Sequence, residues 1–103
     1  MHPIPSKIRA ELSKDTKMRI CIHNNTDCLG RVEWEHAWIY GGKQIQEVWA
    51  IVPVCTYHHR GAGLDKDFNQ YCSLKKATQT DLQKYDRFDW EQKKKYLEKK
   101  YGK

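Results

Sequence analysis

The chain has 103 residues, enough for one domain and too few for two with separate cores. Hydrophobic residues make up 39% and the mean hydropathy is −0.92, so the core must be small, must draw on four Trp and six Tyr, and at that size calls for a staple. Lys and Arg number 19 against 13 Asp and Glu, a net charge of +6 that suits a polyanionic partner such as DNA. No apolar run approaches the roughly 18 residues that cross a bilayer, and Met1-His2-Pro3-Ile4-Pro5 lacks a signal peptide's apolar region, so no membrane partner and an intracellular, cytoplasmic setting are expected.

Pro3 and Pro5 keep the first residues extended, and Ser6 offers an N-cap for a short amphipathic helix over 5–15, with Ile8 and Leu12 on one face and Lys7, Arg9, Glu11 and Lys14 toward water. Thr16 to Ile20 is expected as a strand-like approach to Cys21. From Cys21 to Gly30 the composition is that of a loop or knuckle: Asn24-Asn25-Thr26-Asp27 supplies turn chemistry, and Gly30 a position free for positive φ. In a reducing compartment four Cys read as metal ligands or buried thiols rather than disulfides. Cys21 and Cys28 flank this loop, and Cys55 precedes His58 at the two-residue spacing of a zinc knuckle.

A strand fits Arg31 to Trp38, with Val32, Trp34 and His36 on one face and Arg31, Glu33 and Glu35 on the other. Strand neighbours point apart, so Glu35 and His36 reach one site only where the strand bends or ends. Ile39 to Ile45 reads as the connecting loop, in which Gly41-Gly42 permits a tight reversal and Lys43 and Gln44 are exposed to a phosphate. The second strand is expected from about Glu47 to Val52, closed by Pro53, which cannot donate to a ladder. A short helix carrying His58 and His59 follows, stopped by Gly61-Ala62-Gly63. Leu64 to Lys103 reads as two or three helices: Asp67 to Ala77, with Phe68, Tyr71, Cys72 and Lys75 at helical spacing; a turn or two opened by the capping-box form Thr80-Asp81-Leu82-Gln83; and a last helix capped by Asp89, with Trp90, Leu97 and Tyr101 on one face and Lys93, Lys94, Lys95, Lys99 and Lys100 on the rest.

Cys21, Cys28, Cys55 and His58 make a tetrahedral soft or borderline set matching structural Zn²⁺. The plainer alternative is a set of buried thiols with an exposed His; His23 is a substitute ligand and Cys72 a packing thiol. Hydrolysis of a phosphodiester needs a base to activate water and a cation to neutralise developing charge. His36 suits the first task because imidazole titrates near neutrality. Glu35 and His59 suit the second, as holders of one Mg²⁺ or Mn²⁺ ion in an open site; alternatively His36 and His59 merely cap strand and helix. The C-terminal lysines are either a solvated helix face or phosphate contacts.

The dyad Glu35-His36, the Gly41-Gly42 turn, the apolar run Val48 to Val54 and the Cys-x-x-His-His end at Cys55, His58 and His59 together resemble the HNH family of ββα-metal nucleases. The segments Trp-Glu-His-Ala and Trp-Ala-Ile-Val-Pro look like those of small HNH-type proteins of phages and prophages. The likeness covers roughly Cys21 to Arg60 and is specific at the dyad and the Cys-x-x-His-His end. It implies one small α+β domain over 1–103, with a zinc-knuckled ββα-metal core at 21–64, an N-terminal helix at 5–15 and a C-terminal helical extension at 65–103. It also implies catalytic roles for His36, Glu35 and His59, a phage or prophage setting and a 5′-phosphate product; DNA contacts are expected, on charge and exposure, at Lys43, Arg60, Lys93, Lys94 and Lys95, with a phage or host recombination or replication protein as a further partner. Two positions depart from the family pattern. Where many members carry Asn before the Pro-apolar-Cys segment this chain has Ala50, so the orienting role is absent or falls to Gln44, Gln46 or Glu47; and Glu35 stands for the commoner Asp or His.

Overall fold

The computed structural model describes residues 4–102; the expected extended start at Met1 to Pro3 lies outside them. The first helix, α1, spans Ser6–Ser13. Ser6 is its first helical residue and not its cap: Pro5 fills the cap position with its ring-fixed φ of −56°, and its carbonyl accepts the first bond from Arg9 N–H at 2.9 Å. Leu12 is buried and Ile8 packs beside it, as the helical spacing predicts. Thr16–Arg19 is a 3₁₀ turn, not the expected strand, because the Asp15 carboxylate accepts from the Lys17 N–H at 2.9 Å and offers the backbone a local partner that a strand would forfeit. This turn buries Met18 against Leu12 and Ile51.

Strand β1, Val32–His36, pairs antiparallel with β4, Ile51–Cys55, in the register Val32↔Cys55 to His36↔Ile51. The segment between them forms a small ribbon of its own, β2 Ile39–Tyr40 on β3 Lys43–Gln44. Gly41 and Gly42 make the reversal at φ of +60° and +81°, the pair of positive φ values that a two-residue hairpin turn needs. The second long strand starts later than its apolar run suggests, because Val48–Ala50 first winds into a 3₁₀ turn.

Pro53 does not end β4, as its missing N–H suggests, but sits inside the strand opposite Trp34. Its carbonyl points outward to accept from Ile22 N–H at 2.9 Å. The missing N–H therefore lies on the same outer edge and removes no bond to β1, which is where an edge strand tolerates Pro.

α2, Thr56–Arg60, follows β4 directly. Gly30, at φ +83°, brings the loop before β1 against this helix: a Cβ there would meet the Thr56 side chain at 2.7 Å. Then come α3, Lys66–Lys76, α4, Gln79–Gln83, and α5, Trp90–Tyr101. The capping box that opens α4 is Thr78 with Asp81, two residues before the one expected at Thr80. Asp89 caps α5 as expected, accepting from Gln92 N–H at 3.1 Å.

The C-terminal helices supply half of the largest core rather than wrapping a finished one. Trp38, Ile45, Trp49 and Ala50 from the strand region meet Leu74, Leu82 and Leu97, with Tyr85, Phe88 and Trp90 around them. A second cluster gathers Cys21, Val52, Val54 and Cys55, and a third Leu12, Met18 and Ile51. The molecule is thus a small mixed α+β fold of five α-helices and two small sheets among the described residues. None of its helices there is long and apolar enough to cross a membrane.

Candidate metal centre and carboxylate–histidine cluster

The β1–β4 ribbon closes two loops upon one another at its Cys55 end. Ile22 N–H binds the outer edge of β4 at Pro53, which brings the Cys21–Cys28 loop over the start of α2. Cys21, Cys28, Cys55 and His58 then converge, with one ligand atom of each within 4.8 Å of all the others. His58 Nδ1 lies 3.7 Å from Cys21 Sγ, 3.7 Å from Cys28 Sγ and 3.0 Å from Cys55 Sγ.

A tetrahedral zinc ion with bonds of about 2.3 Å to sulfur and 2.0–2.1 Å to nitrogen sets S and N roughly 3.6 Å apart. Two of the three separations match, and the third would open by a fraction of an ångström. Burial acts to raise the Cys55 thiol, but backbone hydrogen bonds at His58 and Leu29, with the His58 ring, outweigh it and bring the thiol down to about 6; a thiol poised to ionise is what a metal ligand requires. This Cys₃His group could hold a metal ion such as zinc, and it is the one such cluster of three or more among the described residues.

His23 is not part of it. Its ring lies flat on His58, centroids 4.1 Å apart and planes 7° apart, and its Nε2 meets Asn69 Oδ1 at 3.2 Å. Cys72 is half-buried on α3, outside the cluster, and burial pushes its thiol up.

The next residue of α2, His59, meets the two glutamates of β1. Its Nδ1 is 2.6 Å from Glu33 Oε1, and its Nε2 is 3.6 Å from Glu35 Oε1. A carboxylate only accepts, so Nδ1 donates its N–H to Glu33, and the other ring nitrogen, Nε2, faces Glu35. Arg60 Nη2 donates to the second Glu33 oxygen at 2.6 Å. The His59 N–H, against an opposing effect of burial, and the Arg60 guanidinium hold Glu33 below the usual carboxylate range. Burial instead pushes Glu35 up, opposed by the Asn69 amide and by His59.

Asn69 is fully buried in α3 and donates its amide to Glu35 while its carbonyl oxygen meets His23. One side chain therefore links the stack over the Cys₃His group to the carboxylate that faces His59.

β1 ends at His36, and there Glu35 and His36 both line a cavity of about 260 Å³ together with Lys66, Gln70, Phe88 and Lys93. His36 Nε2 is 2.8 Å from Gln46 Oε1, so Gln46 is the residue that fixes its ring, and Ala50 is buried in the core beneath. The structure thus brings Glu35 to His59 directly, and Glu35 to His36 only across the shared cavity; no hydrogen bond joins His36 to Glu35 or His59 among the described residues.

The five residues read as DNA contacts are spread over three elements. Lys43 is exposed on β3 and Arg60 is tied to Glu33. Lys93 lies above the Trp38 and Phe88 rings at the mouth of the cavity, and Lys94 and Lys95 are exposed on α5. Glu33, Lys66, Asn69 and Gln70 join the site without a signal in the motif that singles out the others. Glu33 is visible as the i−2 neighbour of Glu35 on one strand face, but the other three come from α3, whose pairing with β1 no local pattern announces. No family model, curated protein or solved structure matches the chain.

Proposed function

We propose that this chain is a metal-dependent DNA endonuclease of HNH type, stabilised by a structural zinc ion on Cys21, Cys28, Cys55 and His58. The observation that carries the reading is the Glu33–His59–Glu35 chain: Glu33 holds His59 Nδ1 at 2.6 Å and so aims Nε2 at Glu35 Oε1, 3.6 Å away, and a carboxylate behind a metal-binding His is the usual way to aim its ring. Ligand distances of about 2.1 Å let both atoms bind one Mg²⁺- or Mn²⁺-type ion. Such an ion neutralises the charge that develops on the phosphate and the leaving oxygen.

His36, its ring set by Gln46, takes the proton from the attacking water. Lys66 and Lys93 add positive charge to the cavity that Glu35 and His36 share. Gln46 thereby fills the orienting role that Ala50 cannot. A second reading is favoured by Ala50 itself and by the presence of only two side-chain ligands in the Glu35–His59 pair: a zinc-stabilised HNH-like module that binds DNA or a protein, such as a phage or host recombination or replication factor, and does not hydrolyse.

Nicking of supercoiled plasmid with Mg²⁺ or Mn²⁺ separates the two. On the nuclease reading His36→Ala lowers the rate by about 10²- to 10⁴-fold, the worth of a positioned base, with zinc content and thermal unfolding close to the parent. His59→Ala also abolishes cleavage, and excess Mn²⁺ restores part of it because mass action offsets the missing ligand, whereas His36→Ala is not rescued. Parent protein that nicks no duplex, branched or single-stranded DNA leaves the binding module.

A further inference from the structure

Beside the start of β1 lies a cavity of about 500 Å³ lined by Arg9, Arg19, Arg31, Glu33, Trp34 and Met18. Three elements converge there: α1 brings Arg9, the 3₁₀ turn after it brings Arg19, and the residue before β1 is Arg31. All three arginines are exposed, and none forms an ion pair among the described residues. The single carboxylate of the lining, Glu33, is already taken by His59 and Arg60.

Three exposed guanidinium groups on one groove, with its one carboxylate engaged elsewhere, make a positive field that favours an anionic occupant. Arg9 is also pre-set: its guanidinium carbon lies 5.5 Å from the centre of the Trp34 ring. A guanidinium held over an aromatic ring keeps donors that can fork onto two oxygens of one phosphate.

We propose that this groove is a second nucleic-acid contact, in which Arg9, Arg19 and Arg31 hold successive phosphates of a strand that passes Glu33 on its way to the Glu35–His59 pair. The choice of nucleic acid over another polyanion rests on the nuclease reading, because Glu33 is the residue common to the groove and to that pair. The groove is separate from the lysine face of α5.

The test is binding of a fluorescein-labelled mixed-sequence DNA duplex, followed by anisotropy from 50 to 300 mM NaCl with neither divalent metal nor chelator added, so that binding is read without cleavage. Removing one protein–phosphate pairing flattens the slope of log K against log salt by about 0.9. The triple variant Arg9→Gln, Arg19→Gln, Arg31→Gln is therefore expected to flatten it by nearly three and to weaken binding at least tenfold at low salt. The triple Arg→Lys variant, which keeps the charge, should retain most of the slope. Arg19→Gln and Arg31→Gln singly, each expected to remove about one from the slope, decide the matter where the triple variant unfolds.

An unchanged slope overturns the inference, as does a parent that binds no DNA, or one released from DNA as readily by poly-glutamate as by unlabelled duplex, which would make the groove a site for acidic protein segments. Plasmid nicking is scored apart: groove-dependent binding without any nicking removes the nuclease reading and leaves the groove standing, and nicking with an unchanged slope does the reverse.

Discussion

The two ends of the β1–β4 ribbon are held by different physics. At the Val32–Cys55 end the cluster is small: Cys21, Cys55, Val52 and Val54 are the buried members, with Ile22, Cys28 and Tyr57 partly buried against them. At the His36–Ile51 end, Trp38, Trp49, Phe88, Trp90 and Tyr85 pack with ring centroids about 5 to 6 Å apart, edge to face in every pair but the tilted Trp38–Phe88, and Leu74, Leu82 and Leu97 join the same core. The aromatic end can be built from burial alone. The knuckle end gathers fewer buried apolar side chains around a Cys₃His group that could hold a metal ion, and the Glu35–His59 pair lies between the two.

The largest effect should therefore come from breaking the ligand set. Binding of a structural zinc is worth on the order of 10 kcal/mol, comparable with the whole stability of a small domain. Cys55→Ser should unfold the chain or cut its yield sharply, elemental analysis of the parent should find one zinc per chain, and Cys72→Ser, outside the cluster, should be mild. A folded parent without zinc would show that the knuckle end stands on packing after all.

At the opposite end the loss should be large but confined to packing. Trp38 is 2% exposed, and its indole N–H donates to Ser73 Oγ at 3.1 Å, whose own hydroxyl donates to the Trp49 carbonyl at 2.7 Å. Trp38→Ala should cost about 3–5 kcal/mol, the usual range for a buried Trp, while zinc stoichiometry in the remaining folded protein stays at that of the parent. Loss of zinc in step with Trp38→Ala would mean that the two ends fold as one unit and that the contrast between them is only structural.

The same contrast decides what is legible without coordinates. The ligands are legible because Cys and His at knuckle spacing have few other uses, and the structure gathers Cys21, Cys28, Cys55 and His58 as that spacing requires. Asp89 as a cap, and Trp90, Leu97 and Tyr101 as one helical face, are legible from local chemistry. What fails depends on the third dimension. The face of α3 buried deepest is Asn69, Ser73 and Leu74, two of them polar, whereas the apolar spacing points to Phe68, Tyr71 and Cys72. A buried Asn or Ser carries no periodic signal; it is buried because a partner from another element, Glu35 of β1 or Trp38 just after it, is waiting for it. Pro53 inside β4 is hidden for a related reason, since only the pairing tells which edge of a strand its absent N–H faces.

The smallest expected effect concerns the contact that fastens α5 to α3 at the surface. The Asp67 carboxylate accepts from Lys100 Nζ at 3.0 Å and from the Tyr96 hydroxyl at 2.8 Å. The Lys100 ammonium first, and then the Tyr96 hydroxyl, hold Asp67 below its ordinary value near 3.8, and Asp67 in turn raises Lys100. A carboxylate with a depressed folded-state pKa binds protons more weakly in the native protein than in the unfolded chain, so its stabilisation is present above pH 3.8 and fades as the pH falls through the lower folded value. The groups involved are largely exposed, so salt screening keeps the contribution small. Asp67→Asn should therefore lower Tm by a few degrees at most at pH 7 and low salt, with the difference shrinking in 0.5 M NaCl and vanishing in acid once the pH has fallen through the depressed folded value and the parent carboxylate protonates. A Tm difference that persists unchanged into acid would assign the loss to the first turn of α3, where Asp67 also faces the helix N-terminus, rather than to the bond between the helices; Tyr96→Phe, which removes one donor and leaves that turn intact, should then have no effect, whereas on the present account it reproduces part of the Asp67→Asn shift.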